Sequence, residues 1–340
     1  METVSAKQQQ DWRFFAKSFL AGGLAGMTSK TTVAPLDRIK ILLQVHNSHY
    51  RNHGVLSGLV EIVQKESFLS LYKGNGAQMV RIFPYAAVQF MSFEAYKRVL
   101  SQMFVDDERN SFRANIPNNH RLNVNHELKF IAGSMAGVTS VLMTYPLDLV
   151  RARLATVVNT KRNPLISIKT AGAPTTILGT LVSVFRNEGG ITGLYRGITP
   201  TVLAMIPYGG CNFYMFERLK YWCVNYAPTW TCYRAPNDKL VLNIPSKFLC
   251  GGIAGAIGQT AIYPLDVARR RMQLAMTSRE TAIYSESFVQ TLILTYRSHG
   301  VIRGLYRGMS VNYIRAVPMV AMSFCTYELL KQLFGLETGV

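Results

Sequence analysis

One pattern comes round three times in this 340-residue chain: Pro35-Leu-Asp37-Arg-Ile-Lys40, Pro146-Leu-Asp148-Leu-Val-Arg151 and Pro264-Leu-Asp266-Val-Ala-Arg269, each behind a Gly-rich apolar run. With 13 prolines, 19 acidic and 37 basic residues, random arrangement gives about 0.08 occurrences of a proline, an acid two places on and a base three after that. The prolines stand roughly 110 to 120 residues apart, so the repeat divides the whole chain into three similar units and excludes two unrelated domains. A second marker, aromatic-acid-x-x-base, closes each unit: Phe93-Glu94-Ala-Tyr-Lys97, Phe216-Glu217-Arg-Leu-Lys220 and Tyr327-Glu328-Leu-Leu-Lys331. Between the two lies a third: Tyr72-Lys73-Gly74, Tyr195-Arg196-Gly197 and Tyr306-Arg307-Gly308.

Six stretches, near 16–44, 77–101, 127–156, 198–224, 246–274 and 309–334, are each long enough to cross about 30 Å of hydrocarbon as a helix. Most of their charges lie towards the ends. Gly22 and Gly26, Gly133 and Gly137, and Gly251 and Gly255 stand four apart on one helix face, a spacing that lets membrane helices approach closely. Shorter amphipathic helices are expected near 54–65, 175–188 and 284–298, and polar linkers at 102–125 and 225–245. The expected architecture is an all-α membrane protein of six transmembrane helices in three pseudo-symmetric repeats, with short helices between, around a central cavity. The repeats run over 12–101, 126–224 and 246–334 of a single 1–340 domain. Composition alone, at a mean hydropathy of +0.11, leaves a soluble helical-repeat scaffold open.

The net charge of +18 suits nucleic acid, or an anionic membrane and anionic solutes. No nucleic-acid module is visible and the bases are dispersed over all three repeats. Five cysteines, Cys211, Cys223, Cys232, Cys250 and Cys325, show no paired metal spacing, and their odd count argues against a full disulfide set; they read as packing residues or free thiols. The segment Met1 to Asp11 resembles neither a secretory signal nor a transit peptide.

A proline inside a span removes a backbone hydrogen bond and bends the helix, so Pro35, Pro146 and Pro264 should kink the odd-numbered helices toward one axis. Ionised groups near a membrane boundary pair with one another or face water. Local pairs such as Asp37 with Lys40 are the bland alternative. An acid–base set near each end of the spans instead fits two gates on a central cavity, one opening while the other holds, which is alternating access.

Over essentially its full length the chain resembles the mitochondrial carrier family. That resemblance implies a carrier, not an enzyme, that moves solutes across the mitochondrial inner membrane, usually by exchange, with both termini in the intermembrane space. It also implies a matrix gate pairing Asp37 with Arg151, Asp148 with Arg269 and Asp266 with Lys40. Gln44 and Gln273 stand at the brace position, where the second repeat has Ala155. The cytoplasmic gate would pair Glu94 with Lys220, Glu217 with Lys331 and Glu328 with Lys97, with Tyr327 the one hydroxyl-bearing aromatic brace.

By the same resemblance, Lys73, Gly74, Arg196, Gly197, Arg307 and Gly308 are cardiolipin-binding positions at helix N-termini, cardiolipin being the one expected structural lipid, with no cofactor and no metal. The acid-Gly that normally precedes them is altered to Glu66-Ser67, to Glu188 ahead of Gly189-Gly190, and to Gly300-Val301. Midplane positions that read substrate fall on Arg81, Ala204, Met205, Arg315 and Ala316, with Lys30 a further cation and Tyr208 able to stack on a base. Cations at membrane depth need an anion or water, and the midplane stretches offer almost no acids, so Lys30, Arg81 and Arg315 read as phosphate ligands.

Within the family, Phe-Leu-Ala-Gly-Gly-Leu-Ala-Gly (19–26), Arg81-Ile-Phe-Pro-Tyr85 and Asn312-Tyr-Ile-Arg315 look most like the Graves disease carrier and coenzyme A carrier group. Arg269-Arg-Arg-Met272 continues Gln-Leu, so the full motif of ADP/ATP carriers is absent. The expected function is transport of coenzyme A or a related adenine nucleotide by a monomeric antiporter. An ATP, ADP or phosphate exchanger and a proton or ion leak pathway remain as alternatives.

Overall fold

The computed structural model describes residues 2–45, 54–110, 118–157, 176–234, 240–277, 281–285 and 287–335. Its long helices are α1 (Glu2–Gln44), α3 (Asn75–Asn110), α4 (Asn118–Thr156), α7 (Ile198–Tyr226), α9 (Ile244–Gln273) and α11 (Met309–Leu333), one for each expected span. The shorter α2 (Val55–Lys65), α5 (Ile177–Asn187) and α10 (Phe288–Gly300) fall where the amphipathic helices are expected. Among the described residues there are also one-turn α6 (Ile191–Leu194) and α8 (Pro228–Thr231), 3-10 turns at Phe68–Tyr72 and Ala282–Tyr284, and a π turn at Val301–Leu305.

The chain divides into two compact units, Met1–Tyr195 with Ser310–Val340, and Arg196–Met309. In the first, α1, α3 and α4 pack side by side. The end of α1 past Pro35 is buried against α2 and the start of α11 through Ile39, Leu42, Leu43, Ile62 and Val311. A smaller cluster of Ala77, Val150 and Leu154 joins α3 and α4, with Ile177 and Leu181 of α5 against it. Thr176 caps α5, its hydroxyl accepting from the Gly179 N–H at 3.1 Å. In the second unit α7 packs along α9, and α10 packs on α9.

Large apolar side chains of the spans are exposed, among them Met143, Ile206, Leu249 and Val317. Water penalises that arrangement and lipid tails favour it. Among the described residues, the segment Pro245–Gln273 of α9 is the one helix long and apolar enough to cross a membrane on composition alone. The other spans dilute their apolar content with glycines and with the charged residues of the gates and midplane.

Three expectations change. The stretch 225–245 is not a bare linker: it holds α8 and an antiparallel ribbon, β1 (Cys232–Arg234) and β2 (Leu240–Leu242), because Leu242 and Cys232 bury against Cys250. Helices α3 and α4 run into the stretch 102–125, whose remaining residues 111–117 lie outside the described set, as do Met1 and 336–340 at the termini.

The third concerns the glycine faces. A side chain at Gly22 or Gly251 would meet nothing within 4 Å, whereas a Cβ on Gly23 would lie 2.4 Å from the Phe83 ring and one on Gly258 3.5 Å from Tyr208. Of the four-apart pairs, Gly26, Gly133 and Gly255 would bring a Cβ to 3.8, 3.9 and 4.0 Å from Ile82, Phe93 and Asn212, ordinary contact, so the tightest approach falls on Gly23 instead.

Candidate functional site

All six prolines at matching places sit inside long helices: Pro35, Pro146 and Pro264 in α1, α4 and α9, and Pro84, Pro207 and Pro318 in α3, α7 and α11. The second trio stands at one common offset ahead of the aromatic-acid-base marker, a fourth repeating signal that the sequence reading passed over.

Just past Pro35, Asp37 is buried between two arginines. Arg151 of α4 donates to its Oδ2 and Arg315 of α11 to its Oδ1, so one carboxylate ties three helices together. Arg81 of α3 donates to Asp148 Oδ1 at 3.1 Å and to the Thr144 hydroxyl at 3.3 Å, and its guanidinium lies 5.2 Å over the Tyr85 ring. Lys30 lies in the same electrostatic neighbourhood as Asp37, Arg81, Arg151 and Arg315, its ammonium 3.2 Å from the Met319 sulfur. Lys40 donates to Asn312 Oδ1 at 3.2 Å.

This corrects the expectation that Arg81 and Arg315 lack acids nearby. The acids that reach them are Asp148 and Asp37 themselves, because the arginine side chains are long enough to span the distance from the midplane to the kink.

Ala204, Met205 and Tyr208 lie in the second unit along α7, the first buried, the second half-buried and the third exposed; Ala316 is exposed on α11 beside Arg315. Asp266 and Arg269 are half-buried on α9. Gln44 is fully buried, and Gln273 accepts from Arg270 of its own helix at 2.8 Å. The expected pairs of Asp148 with Arg269, Asp266 with Lys40, Glu94 with Lys220 and Glu217 with Lys331 each draw one member from each unit.

At the opposite end the geometry is local. Lys97 pairs with Glu94 one turn back at 3.7 Å and Lys220 with Glu217 at 3.5 Å, all four side chains more than a third exposed. Glu328 is exposed one residue after half-buried Tyr327, Lys331 is half-buried, and among the described residues Glu328 makes no ion pair with Lys97. In this conformation Lys97 and Lys220 each pair with an acid of their own helix. An apolar crevice of about 450 Å³, lined among others by Phe19, Phe90 and Phe93, opens at this end and away from the cations.

Two buried contacts were missed. Arg38 reaches both oxygens of Glu66 (2.8 and 3.0 Å) with both side chains fully buried, and also donates to the carbonyls of Ser70, Ala155 (3.1 Å) and Val157 (3.2 Å). Arg38 does this from the one nitrogen Nη2, whereas Arg153 grips Glu188 with two, Nη1 donating to Oε1 and Nη2 to Oε2 at 2.7 Å. Relative to the repeat's aspartate, Arg153 stands about one helical turn further along than Arg38, so both occupy the same helix face and reach an equivalent acid. The altered acid-Gly motifs were the available signal.

Burial opposes ionisation of Glu66, but Arg38 and Lys73 outweigh it and hold its carboxyl below the usual carboxylate range. Burial lowers the Lys73 ammonium below its ordinary value, with Glu66 offsetting part of that.

Lys73 is thereby engaged, donating to Glu66 Oε2 at 2.7 Å and to the Val157 carbonyl at 3.1 Å. Arg196 and Arg307 are half-buried. Gly74, Gly197 and Gly308 all adopt left-handed backbone, φ +84°, +82° and +83°, and each immediately precedes or caps the next long helix. At Gly74 a Cβ would also strike the Arg151 carbonyl at 2.8 Å, so any other residue there carries both strain and a clash.

A family model described as mitochondrial carrier protein matches the chain three times, over residues 11–104, 124–227 and 241–338. The chain belongs to the mitochondrial carrier family. Among its relatives, bovine solute carrier family 25 member 16 is 46% identical over 337 residues, covering 95% of this chain and 90% of that one. The human protein named mitochondrial coenzyme A transporter SLC25A42 is 38% identical over 328 residues, covering 96% and 91%. The maize mitochondrial carrier protein CoAc1 is 38% identical over 331 residues, covering 94% and 88%. In this carrier each of the three matched segments holds one Pro-x-Asp motif inside a long helix, at Pro35, Pro146 and Pro264.

Proposed function

We propose that this carrier exchanges coenzyme A or a related adenine nucleotide across the mitochondrial inner membrane by alternating access. The observation that carries the reading is the double use of Asp37: one oxygen faces Arg151, its expected gate partner, and the other faces Arg315, an expected substrate cation. Arg81 stands in the same relation to Asp148.

A phosphate or diphosphate arriving in the cavity offers Arg81 and Arg315 a doubly charged, bidentate partner in place of a single carboxylate. Taking that partner frees one side of each gate acid, which weakens the closed end only while substrate is present. Binding energy is thus coupled to opening, as exchange requires. Lys30 adds a point charge for a further phosphate. Ala204 and Met205 offer a small apolar surface for adenine, and Tyr208 a ring to stack on it. The names of two relatives, the coenzyme A transporter and CoAc1, support the choice of ligand class.

The remaining gate pairs complete the cycle in this reading, and the left-handed glycines aim helix N-termini at cardiolipin phosphates.

The test is thermal unfolding of the purified carrier in mild detergent with coenzyme A, dephospho-coenzyme A, adenosine 3′,5′-diphosphate, ATP, ADP and phosphate. A ligand of the folded state raises the midpoint. Coenzyme A should raise it, dephospho-coenzyme A less, and Arg81→Ala should abolish the shift while the protein stays folded. A response to ATP and ADP alone makes this a general nucleotide exchanger instead.

A further inference from the structure

In the second unit three of the five cysteines share one apolar cluster: Cys232 and Cys250, both buried, with half-buried Cys223 packed against them beside Phe216, Leu219, Val224 and Leu242. Cys223 lies near the end of α7 and Cys250 in the second turn of α9. Their sulfurs are 3.6 Å apart, in contact across two helices that belong to different repeats. A disulfide needs about 2 Å between sulfurs, a distance that small side-chain rotations and a slight helix shift supply.

Cysteine often serves as a small packing group, and Cys250 and Cys232 could do only that. Cys223 differs in keeping access to the surface, which a thiol needs in order to be attacked by a reagent from solution.

The geometry points to a reactive dithiol: Cys223 and Cys250 form a reversible internal disulfide by exchange with a small organic disulfide of the glutathione class. The Cys223 thiolate attacks the reagent's S–S bond, forming a mixed disulfide and releasing one thiol. The Cys250 thiolate then attacks the Cys223 sulfur, the new S–S bond forms, and the second thiol leaves. Two protein thiols are oxidised and one external disulfide is reduced to two thiols. The product staples α7 to α9 at the same end as Glu217 and Lys220, where alternating access requires the repeats to part and close. That consequence rests on the carrier reading; the chemistry does not.

Purified carrier is incubated with glutathione disulfide, alkylated, and digested without reduction. The expected result is a peptide pair joined through Cys223 and Cys250, lost in Cys223→Ser and in Cys250→Ser, kept in Cys232→Ser, and reversed by dithiothreitol. Unfolding midpoints confirm that each serine variant is folded. Glutathione left on Cys223 with no internal link, a link to Cys232, or full alkylation of both thiols overturns the assignment.

In liposomes the oxidised wild type should lose most of its initial exchange rate and regain it on reduction, while Cys250→Ser is indifferent to oxidant. An unchanged rate in the cross-linked protein overturns the staple. Absence of exchange by the reduced protein sinks the proposed function instead, and the peptide map still decides the disulfide.

Discussion

The two ends of the first unit use the same residue types in opposite ways. Past the Pro-Leu-Asp kinks, acids and bases meet between helices and out of water: Asp37 with Arg151 and Arg315, Asp148 with Arg81, Glu66 with Arg38. At the aromatic-acid-base end, Glu94 and Lys97 are exposed and meet within one helix. A buried pair broken on one side leaves an uncompensated charge, at a cost of about 3–5 kcal/mol, whereas an exposed pair one turn apart contributes about 0.2–0.5 kcal/mol. One end of this conformation is fastened and the other is at rest, so the same substitution should have very different consequences at the two.

The largest effect is expected at Asp37. Asp37→Ala leaves Arg151 and Arg315 both without their shared carboxylate, and should lower the unfolding midpoint strongly and abolish exchange in liposomes. A variant with wild-type midpoint would show that the fastened end is no tighter than the resting one. The charge-reversed pair Asp37→Arg with Arg151→Asp should recover part of the stability but little exchange, because Arg315 then faces a like charge.

Next comes Glu66→Gln. Both Arg38 and Glu66 are fully buried, so the neutral amide strands the guanidinium at about 3–5 kcal/mol. The pH dependence follows from the depressed Glu66 carboxyl: between its folded and its ordinary value the unfolded chain binds the extra proton, so stability rises with pH. The contribution is complete above the ordinary carboxylate range and is lost as pH falls through the folded value. Glu66→Gln should flatten that acid limb of the midpoint-against-pH curve. A variant with the wild-type slope would mean that other carboxylates carry it.

Much of this was legible from repetition alone. Three copies of one pattern fix the number of spans, and each long helix lies over its expected stretch. Asp37 and Arg151 could be named as neighbours because the resemblance supplies which repeat meets which. What sequence could not supply was reach. Arg81 and Arg315 stand on other helices than the aspartates, and only the three-dimensional approach of α3 to α4 and of α1 to α11 brings them to Asp148 and Asp37. Arg38 was hidden for another reason: it takes in the first repeat the place that Arg153 holds one turn later in the second, so a strict register comparison pairs neither with its acid. The ribbon at 232–242 was hidden because three-residue strands carry no usable periodicity.

The smallest effect, and the sharpest test of the comparison, is at the resting end. Lys97→Ala removes an exposed partner of Glu94 and should change the unfolding midpoint very little, since the pair contributes at most about 0.5 kcal/mol in this conformation. If the family's gate forms at this end in the opposite conformation, Lys97 is then drawn to Glu328, and its loss should slow exchange although stability is untouched. Charge reversal at both positions, Lys97→Glu with Glu328→Lys, should restore the rate if the two meet during the cycle. A slow single variant that the double variant does not rescue would place Lys97 in some other step. A Lys97→Ala carrier that exchanges at the wild-type rate would make this end a solvated surface, and the difference between the two ends permanent rather than a feature of one conformation.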